Sequence, residues 1–254
     1  MQFRLKFLIV ICFLTSISCN LFVDSFMASP TPTTLPIRTL IAAVPTLSIP
    51  TGIPTPIQMP SVPTIAPSST TQFTEPVGCL RPPDVYTRLI VNGEKLNYRT
   101  EWMLKHAQTL YGGTIDFAGQ AITQGSYNPG GVAASFGTHD GGGAVDLAVK
   151  DLRTGTVLRS ELPNAIRALR IAGFAAWVRE PDELYKGSPI HIHAIAIGDA
   201  ELSPAAKDQL TGEFGYFLGF NGLPQTNHVP IADRHGGPIL CQWMRDMGYR
   251  DMRQ

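Results

Sequence analysis

A glycine-rich segment in the middle of the chain places a histidine close to an aspartate. It reads Ser-Phe-Gly-Thr-His-Asp-Gly-Gly-Gly-Ala-Val-Asp, beginning at Ser135 and including His139 and Asp146. A neutral imidazole and a carboxylate are both common zinc ligands. Glycines let a loop double back and let its backbone approach a metal closely. The spacing therefore favours a site at which His139 and Asp146 face one point.

Two other interpretations of this segment stay open at the level of sequence. A phosphate-binding loop is also rich in glycine, but the lysine and the following serine or threonine of such a loop are absent here. The segment could equally be a glycine-rich turn that carries a surface histidine.

A second pair of histidines, His191 and His193, begins an apolar segment over 191–197. Residues i and i+2 of a strand face the same side, so both imidazoles share one face while Ile192 faces the other. Burying an imidazole costs free energy unless its ring nitrogens find partners. The pair therefore either supplies a metal ligand or lies on a strand that faces solvent.

Together the two segments resemble a superfamily of zinc peptidases. The pattern Ser-x-x-x-His-x-x-Gly-x-Ala-x-Asp, followed later by His-x-His, is similar to that of D-Ala-D-Ala carboxypeptidases, lysostaphin-like endopeptidases and hedgehog. The resemblance covers residues 120–200. It implies that His139, Asp146 and His193 bind Zn²⁺ and leave a fourth position open to water, as in catalytic zinc sites.

Departures from the family bear on the general base. The carboxypeptidase branch has a glutamate three residues before its last histidine ligand, and this chain has Ile190 there. His191 occupies the position of the non-ligand histidine of the endopeptidase branches, so it is the leading candidate to activate water or to stabilise an oxyanion. Glu180 and Glu183 are reserve bases, which could equally be ion-paired or solvated surface residues.

A further departure bears on the substrate. The carboxypeptidase branch commonly has an arginine on the strand before the first motif that binds a substrate carboxylate, and this chain offers Gln124. We therefore expect an endopeptidase, or a carboxypeptidase that binds the carboxylate differently. The predicted substrate-binding residues are Gln124, Tyr127 and Ser135, although Tyr127 also suits core packing.

The function that the resemblance implies is zinc-dependent hydrolysis of amide bonds in peptidoglycan cross-peptides. One alternative is a zinc-containing module that binds the cell wall or a partner without turnover. The missing glutamate favours this module and the retained His191 disfavours it. Another alternative is a metal-free structural lipoprotein. The formal net charge of +0 and the lack of a lysine or arginine run give no support for nucleic-acid binding.

The segments that must position these residues predict one α+β domain over residues 77–254, with helices packed on a small antiparallel sheet. Asn92-Gly93 predicts a type I′ hairpin turn, and Thr100 predicts a helix N-cap. The predicted strands cover 86–91, 94–97, 117–123, 144–149, 174–179 and 191–197. Further helices are predicted to begin at Pro163 and Pro204.

Residues 1–19 predict an export signal. Arg4 and Lys6 precede an apolar run over 7–18, which suits a signal peptide and is short for a membrane-spanning helix. The small residues before Cys19 resemble a bacterial lipobox, which implies that Cys19 is lipidated. An ordinary cleaved signal or an uncleaved anchor is the alternative. We expect an extracytoplasmic domain that is attached to the membrane through its lipid alone.

Residues 20–76 predict an extended linker rich in proline, threonine and serine. The stretch 27–76 holds 11 of the 21 prolines, and its only charged residues are Arg38 and Glu75. Proline at this density removes backbone donors and prevents helix or sheet from propagating. We expect the linker to hold the domain away from the membrane surface.

Two of the four cysteines, Cys79 and Cys241, lie near the ends of the predicted domain. The other two, Cys12 and Cys19, belong to the export signal. In an oxidising compartment a remaining pair predicts a disulfide. Two free buried thiols are the alternative.

Overall fold

Six β-strands and four α-helices form the regular structure of residues 73–130 and 133–253, which the computed structural model describes. All strand pairs within its two sheets are antiparallel, so the fold is α+β with small antiparallel sheets. The strands are β1 (Arg88–Val91), β2 (Glu94–Asn97), β3 (Ile122–Gln124), β4 (Ala144–Ala148), β5 (Phe174–Arg179) and β6 (His191–Ala196). The helices are α1 (Tyr98–Tyr111), α2 (Leu162–Ile171), α3 (Pro204–Thr211) and α4 (Gln242–Asp246).

The predicted signal peptide, the lipidation site Cys19 and linker residues 20–72 lie outside the described residues. The end of the linker is described, and it packs against the domain. Phe73 contacts the apolar core near the C-terminus, and the Glu75 carboxylate accepts a hydrogen bond of 2.8 Å from the Gln242 backbone N–H. The packed region therefore begins before the predicted boundary at residue 77. Among the described helices, none combines the length and apolarity that crossing a bilayer requires.

The first two strands form a hairpin, and its turn confirms the prediction from Asn92-Gly93. Both residues have left-handed backbones, with φ of 51° at Asn92 and 84° at Gly93. Two left-handed residues in succession are the requirement of a type I′ turn, whose twist matches that of the paired strands.

Helix α1 begins earlier than predicted, because Asn97 and not Thr100 is its N-cap. The Asn97 side chain accepts a hydrogen bond of 2.8 Å from the Thr100 backbone N–H. Asparagine is a strong N-cap residue, and the sequence places it where the hairpin ends. At the other end, Gly112 takes the left-handed conformation with φ of 63° and stops the helix.

The four-stranded sheet, in the order β3-β4-β6-β5, is the scaffold that positions the site. Its two faces differ, because alternate residues of a strand point to opposite sides. One face packs against α1 and α2 through the apolar residues Val145, Leu147, Ala176, Val178, Ile192 and Ala194. The opposite face packs against α3 and the C-terminal region through Ala144, Ala175, Trp177 and Ile195. Asp146, His191 and His193 share this second face by alternation.

Strand β3 is shorter than the predicted strand over 117–123. The chain turns instead, because the Asp116 carboxylate accepts a hydrogen bond of 2.9 Å from the Gln120 backbone N–H, and the Asp116 carbonyl accepts one of 3.0 Å from Ala121. Phe117 is fully buried in the core from this turn. An aspartate that satisfies nearby backbone donors favours a turn over an extended strand.

The C-terminal region contains helix α4, which the sequence analysis does not predict. Trp243 and Met244 of α4 are buried in the second core cluster. Cys241 lies directly before α4 and forms a disulfide with Cys79, the pairing expected from the cysteine count. The bond joins positions separated by 162 residues along the chain.

Candidate metal centre

A row of aligned residues crosses the second face of the sheet. Gln124 of β3 pairs with Asp146 of β4, Asp146 pairs with His193 of β6, and His193 pairs with Trp177 of β5. Directly paired residues in adjacent strands place their side chains next to one another. The register of the sheet therefore brings Asp146 and His193 together, although they are far apart in the sequence.

His139 reaches the same place from a 3-10 turn, Thr138–Asp140, that lies before β4. Gly137 begins the turn with φ of 78°, and Gly143 enters the strand with φ of 78°. The carbonyl of His139 accepts a hydrogen bond of 2.9 Å from the Asn128 backbone N–H. The turn is thus tied to the neighbouring loop, and His139 is directed towards the sheet.

The glycines between His139 and Asp146 are also needed for space. A Cβ atom at Gly141 would lie 2.3 Å from the Glu201 carbonyl oxygen and 2.4 Å from the Ser203 backbone nitrogen. Both obstacles are backbone atoms, which cannot rotate away as a side chain can. The loop passes so close to residues 201–203 that only glycine fits at this position.

Three potential ligand atoms converge where the turn meets the sheet. Nδ1 of His193 lies 2.7 Å from Oδ1 of Asp146, and Nε2 of His139 lies 3.4 Å from the same oxygen. Ligand atoms of these three residues all lie within 4.8 Å of one another. Both histidines are buried, and Nε2 of His139 has no hydrogen-bond partner. A buried polar atom without a partner is uncommon, and beside two other potential ligands it suits a bound cation.

Each of the two imidazoles also has a hydrogen-bond partner on its outer ring nitrogen. Such a partner can hold the proton there and leave the inner nitrogen with a lone pair directed at the place where the three residues converge. Nδ1–H of His139 donates to the Gly125 carbonyl oxygen at 2.7 Å, which leaves Nε2 as an acceptor. Nε2 of His193 lies 3.1 Å from Oε1 of Gln209. Nδ1 of His193 lies within hydrogen-bond distance of Oδ1 of Asp146, at 2.7 Å, and a proton on Nδ1 makes that bond. In the other tautomer Nε2–H donates to Gln209 and Nδ1 carries the lone pair that a metal needs. Such outer hydrogen bonds fix ring orientation and tautomer in metal sites.

The charges of the three residues also suit a cation. Burial lowers the pKa of His193 to about 4, against the opposing effect of Asp146, so its imidazole is neutral near pH 7. Burial raises the pKa of Asp146, but the neighbouring His139 and His193 outweigh this effect and keep the pKa well below its usual range. Burial lowers the pKa of His139, but Asp146 reverses this effect and raises it overall. The ionised Asp146 thus draws positive charge to the site.

His191 lies beside the three converging residues. Its Nε2 is 3.8 Å from Oδ2 of Asp146, and its Nδ1 is 2.9 Å from the Pro189 carbonyl oxygen. Since a carbonyl oxygen only accepts, Nδ1 is the protonated nitrogen and Nε2 is free to accept a proton. His191 is separate from the trio within which all ligand atoms lie close together.

The converging residues lie in a small cavity, whose other lining residues include Phe136, Arg179, Leu184, Gln209 and Leu223. A larger adjoining space shares Asp146, His191 and Ser135 with it. We call this larger space the groove. Gln124, Tyr185 and Ser188 also line the groove, and Nε2–H of Gln124 donates to the Ser135 hydroxyl at 3.2 Å. The structure therefore brings the predicted substrate-binding residues Gln124 and Ser135 next to the candidate metal ligands.

Tyr127, the third predicted substrate-binding residue, lines neither the cavity nor the groove. Its hydroxyl forms hydrogen bonds with the side chains of Glu201 and Asn97, and the Arg88 guanidinium lies 4.1 Å from its ring centre. Its backbone N–H donates to the Gly141 carbonyl at 2.8 Å. Tyr127 therefore supports the glycine loop, and the prediction that it binds substrate finds no support.

Glu180, the predicted reserve base, is also directed away from the trio. Both of its carboxylate oxygens accept hydrogen bonds from Arg159, at 3.2 and 2.9 Å. Glu180 and Glu183 line a different cavity, which does not include the trio. The ion-pair interpretation of Glu180 is the one that the contacts support.

Two residues at the site were missed by the sequence analysis. Gln209 approaches His193 from α3, and no local pattern links it to the histidines. Arg179 ends the otherwise apolar strand β5 and is directly paired with His191. An arginine that directly follows an apolar run is visible in the sequence and could have been selected as a candidate.

Comparison with known proteins adds no assignment, because no family model, no curated protein and no solved structure matches this chain.

Proposed function

We propose that this domain is a zinc-dependent peptidase that hydrolyses amide bonds in peptidoglycan cross-peptides. The observation that carries the proposal is the convergence of three ligand atoms, two of them on buried histidines and one without a hydrogen-bond partner, beside the groove. The choice of peptidoglycan rests on the resemblance of the two motifs to the zinc peptidase superfamily and on the predicted lipid anchor.

Zinc fits the ligand set of His139, Asp146 and His193. Two imidazole nitrogens and one carboxylate oxygen are typical zinc ligands, and three protein ligands with an open position are typical of catalytic rather than structural sites. Zinc in such a site supplies Lewis-acid chemistry, because it polarises a carbonyl group and makes water more acidic.

Proton transfer falls to His191. Among the described residues that line the cavity and the groove, Asp146 is the only carboxylic acid, and it belongs to the ligand set. Ile190 packs against the apolar core and contributes no carboxylate. Nε2 of His191 is available because the Pro189 carbonyl holds the proton on Nδ1. In this role His191 takes a proton from the attacking water and later gives it to the leaving amine.

The groove supplies polar groups for a peptide backbone. The amide of Gln124 and the hydroxyl of Ser135 each both donate and accept hydrogen bonds. Tyr185 and Leu184 line the same space and offer apolar surface. A few polar groups within a partly apolar groove are typical of small-ligand and peptide sites.

A zinc-containing module without turnover is the second candidate. The observation that favours it is Ile190, which lies where the carboxypeptidase branch has its catalytic glutamate. Both candidates require the metal, so only turnover distinguishes them.

The test measures zinc content and hydrolysis in the same preparations. We compare wild type with His139→Ala, Asp146→Ala and His193→Ala. His228→Ala is the matched control, because the His228 side chain is 77% exposed. We expect wild type and the control to hold zinc and to release new amino groups from peptidoglycan, and each ligand variant to lose both properties. Zinc binding without new amino groups would favour the module, and a wild type that takes up no zinc would contradict both candidates.

A further inference from the structure

Three arginines of the described domain are almost completely buried, and two of them are neutralised within the fold. Nη2 of Arg170 lies 2.5 Å from the Asp233 carboxylate, and the same side chain also donates to three backbone carbonyls. Nη1 of Arg99 lies 2.8 Å from the Asp84 carboxylate. Each of these two arginines forms a direct ion pair with a carboxylate, although Nε of Arg99 also lacks a hydrogen-bond partner.

Arg179 differs from both. Among the described residues it has no carboxylate within 4.0 Å, and its one hydrogen bond runs from Nη1 to the Asn221 carbonyl oxygen, at 2.9 Å. Its Nη2 is buried without any hydrogen-bond partner. The guanidinium also lies 5.3 Å from the ring centre of Trp177, a contact that orients it. Leaving a buried charge unpaired costs free energy, which an incoming anion can offset.

The unpaired guanidinium lies at the metal site. Arg179 lines the same cavity as the three converging residues and is directly paired with His191 across β5 and β6. It is the only lysine or arginine among the described residues that line the cavity or the groove. Leu184 and Leu223 line the cavity beside it, and an apolar lining strengthens an ion pair by excluding water.

We propose that Arg179 binds the free C-terminal carboxylate of the substrate, so that the enzyme removes the terminal residue and acts as a carboxypeptidase. This inference rests on the proposed function and narrows its substrate class. A guanidinium matches a carboxylate because it donates two parallel hydrogen bonds. Binding the carboxylate beside the metal ligands leaves space for only a short C-terminal segment on that side of the scissile bond.

Burial is consistent with this role. It lowers the pKa of Arg179 to about 10, which leaves the guanidinium protonated near pH 7. The charge is therefore present, and among the described residues no carboxylate forms a direct ion pair with it. Arg179 differs in position from the carboxylate-binding arginine of the carboxypeptidase branch, which lies on the strand before the first motif. Here Gln124 occupies that position, and the cation comes from the opposite edge of the sheet.

The test measures binding of two peptides by calorimetry, with both metal-free and zinc-loaded protein. One peptide is N-acetyl-D-Ala-D-Ala with a free carboxylate, and the other is the same peptide with a C-terminal amide. The variants are Arg179→Met and Arg179→Lys. Arg250→Met is the control, because Arg250 is exposed and its replacement removes the same charge.

We expect wild type and Arg250→Met to bind the free carboxylate at least about tenfold more tightly than the amide, the effect of one charged hydrogen-bonded contact. Arg179→Met should bind both peptides equally. Arg179→Lys should keep part of the preference, because lysine retains the charge but not the paired donors. If Arg179→Met does not fold, Arg179→Lys and the wild-type comparison decide the question.

Equal affinity of wild type for the two peptides, or failure to bind either one, overturns the inference. A preference that survives unchanged in both Arg179 variants overturns it as well. The metal-free measurement separates this inference from the proposed function. A protein that takes up no zinc but distinguishes the peptides through Arg179 contradicts the peptidase and keeps the carboxylate site. A protein that hydrolyses both peptides at equal rates contradicts only the proposal that Arg179 binds the substrate carboxylate.

Discussion

At the scale of single residues, the site depends on which ring nitrogen of each histidine carries the proton. Backbone carbonyls decide this for His139 and His191, through Gly125 and Pro189 respectively. Such contacts do not depend on any neighbouring side chain, so substitution elsewhere leaves them intact. His193 is different, because the partner of its outer nitrogen is the Gln209 side chain.

Replacing Gln209 should therefore weaken the metal site without removing a ligand. We expect Gln209→Leu to lower zinc affinity by about 10- to 100-fold, the usual cost of losing an outer hydrogen bond. Competition with a chromophoric chelator measures the affinity. Gln120→Leu is the matched control, because Gln120 is exposed and lines neither the cavity nor the groove. Unchanged affinity in Gln209→Leu would show that Gln209 does not orient His193.

His191 should affect turnover and not the metal. His191→Ala removes the free Nε2 but leaves the three ligands intact. We expect this variant to hold as much zinc as wild type and to lose about 100-fold or more in hydrolysis rate, within the usual contribution of a general base. Metal analysis and a peptide hydrolysis assay on the same sample check this. Loss of zinc from His191→Ala, together with zinc retained by His193→Ala, would reverse the assignment of the two histidines.

The sequence is informative about the ligands and less so about their surroundings. Ligand type, glycine spacing and strand alternation, which are all local properties, point to His139, Asp146 and the pair of His191 and His193. The resemblance to the zinc peptidases then selects His193 from that pair. Gln209 could not be selected, because its approach to His193 depends on how α3 packs against the sheet. The surroundings of Tyr127 are equally non-local, since its partners Asn97 and Glu201 come from distant segments.

At the scale of elements, the glycine loop and the sheet register together build the site. The register follows from alternation, which assigns Asp146 and His193 to one face and Leu147 and Ile192 to the other. A shift by one residue would place the ligands against the helices and the apolar residues in the cavity. Burial on both faces therefore fixes the alignment that the metal ligands need.

The loop should tolerate no side chain at Gly141. Its φ of −101° suits any residue, so the only obstacle to Gly141→Ala is the backbone of residues 201–203. We expect this variant to lose about 1–3 kcal/mol of unfolding free energy, as in other overpacked sites, and to bind zinc more weakly because His139 is displaced. Urea unfolding in the presence of a chelator measures the first effect.

Gly119→Ala is the control for Gly141→Ala. A Cβ atom at Gly119 would lie 2.5 Å from the Asp116 carboxylate, which is the end of a side chain and can move, although this strains its hydrogen bond to the Gln120 backbone N–H. We expect Gly119→Ala to destabilise the fold less than Gly141→Ala does and to leave zinc affinity unchanged. Equal losses in the two variants would mean that the space around Gly141 does not determine the position of the loop.

How well each helix or strand could be predicted depends on whether the residues that determine it are close together in the sequence. The Asn-Gly hairpin, β4, β5 and β6 were predictable, because turn chemistry and apolar runs are visible over a few residues. The start of α1 was placed at Thr100, although Asn97 is an equally good cap that lies closer to the hairpin. Helix α4 was missed because five residues carry too little periodicity to distinguish a helix from a loop.

At the scale of the whole molecule, the two ends of the described domain are joined to each other. The disulfide between Cys79 and Cys241 links the segment before β1 to the segment before α4. Beyond the disulfide, the Arg245 guanidinium lies 4.4 Å from the ring centre of Phe73. The packed domain therefore includes residues that composition assigned to the linker, because a proline-rich stretch does not show where packing begins.

This arrangement predicts that the stability of a truncated protein depends on whether the chain begins at residue 73 or at residue 77. A chain that begins at residue 73 keeps Phe73 and the bond from Gln242 to Glu75, while a chain that begins at residue 77 loses both and leaves the first N–H of α4 without its acceptor. We expect the shorter chain to lose about 1–3 kcal/mol of unfolding free energy, from one half-buried aromatic ring and one charged hydrogen bond.

Urea unfolding of the two oxidised proteins measures this difference. Phe73→Ala and Glu75→Gln in the longer chain divide the loss between the ring and the carboxylate. Zinc affinity should be equal in both chains, because the metal ligands lie on the sheet and its glycine loop and not on this segment. Limited proteolysis of the full-length protein should yield a resistant fragment that begins at or before Phe73. A fragment that begins at Val77, with the same stability as the longer chain, would show that residues 73–76 add nothing to the fold.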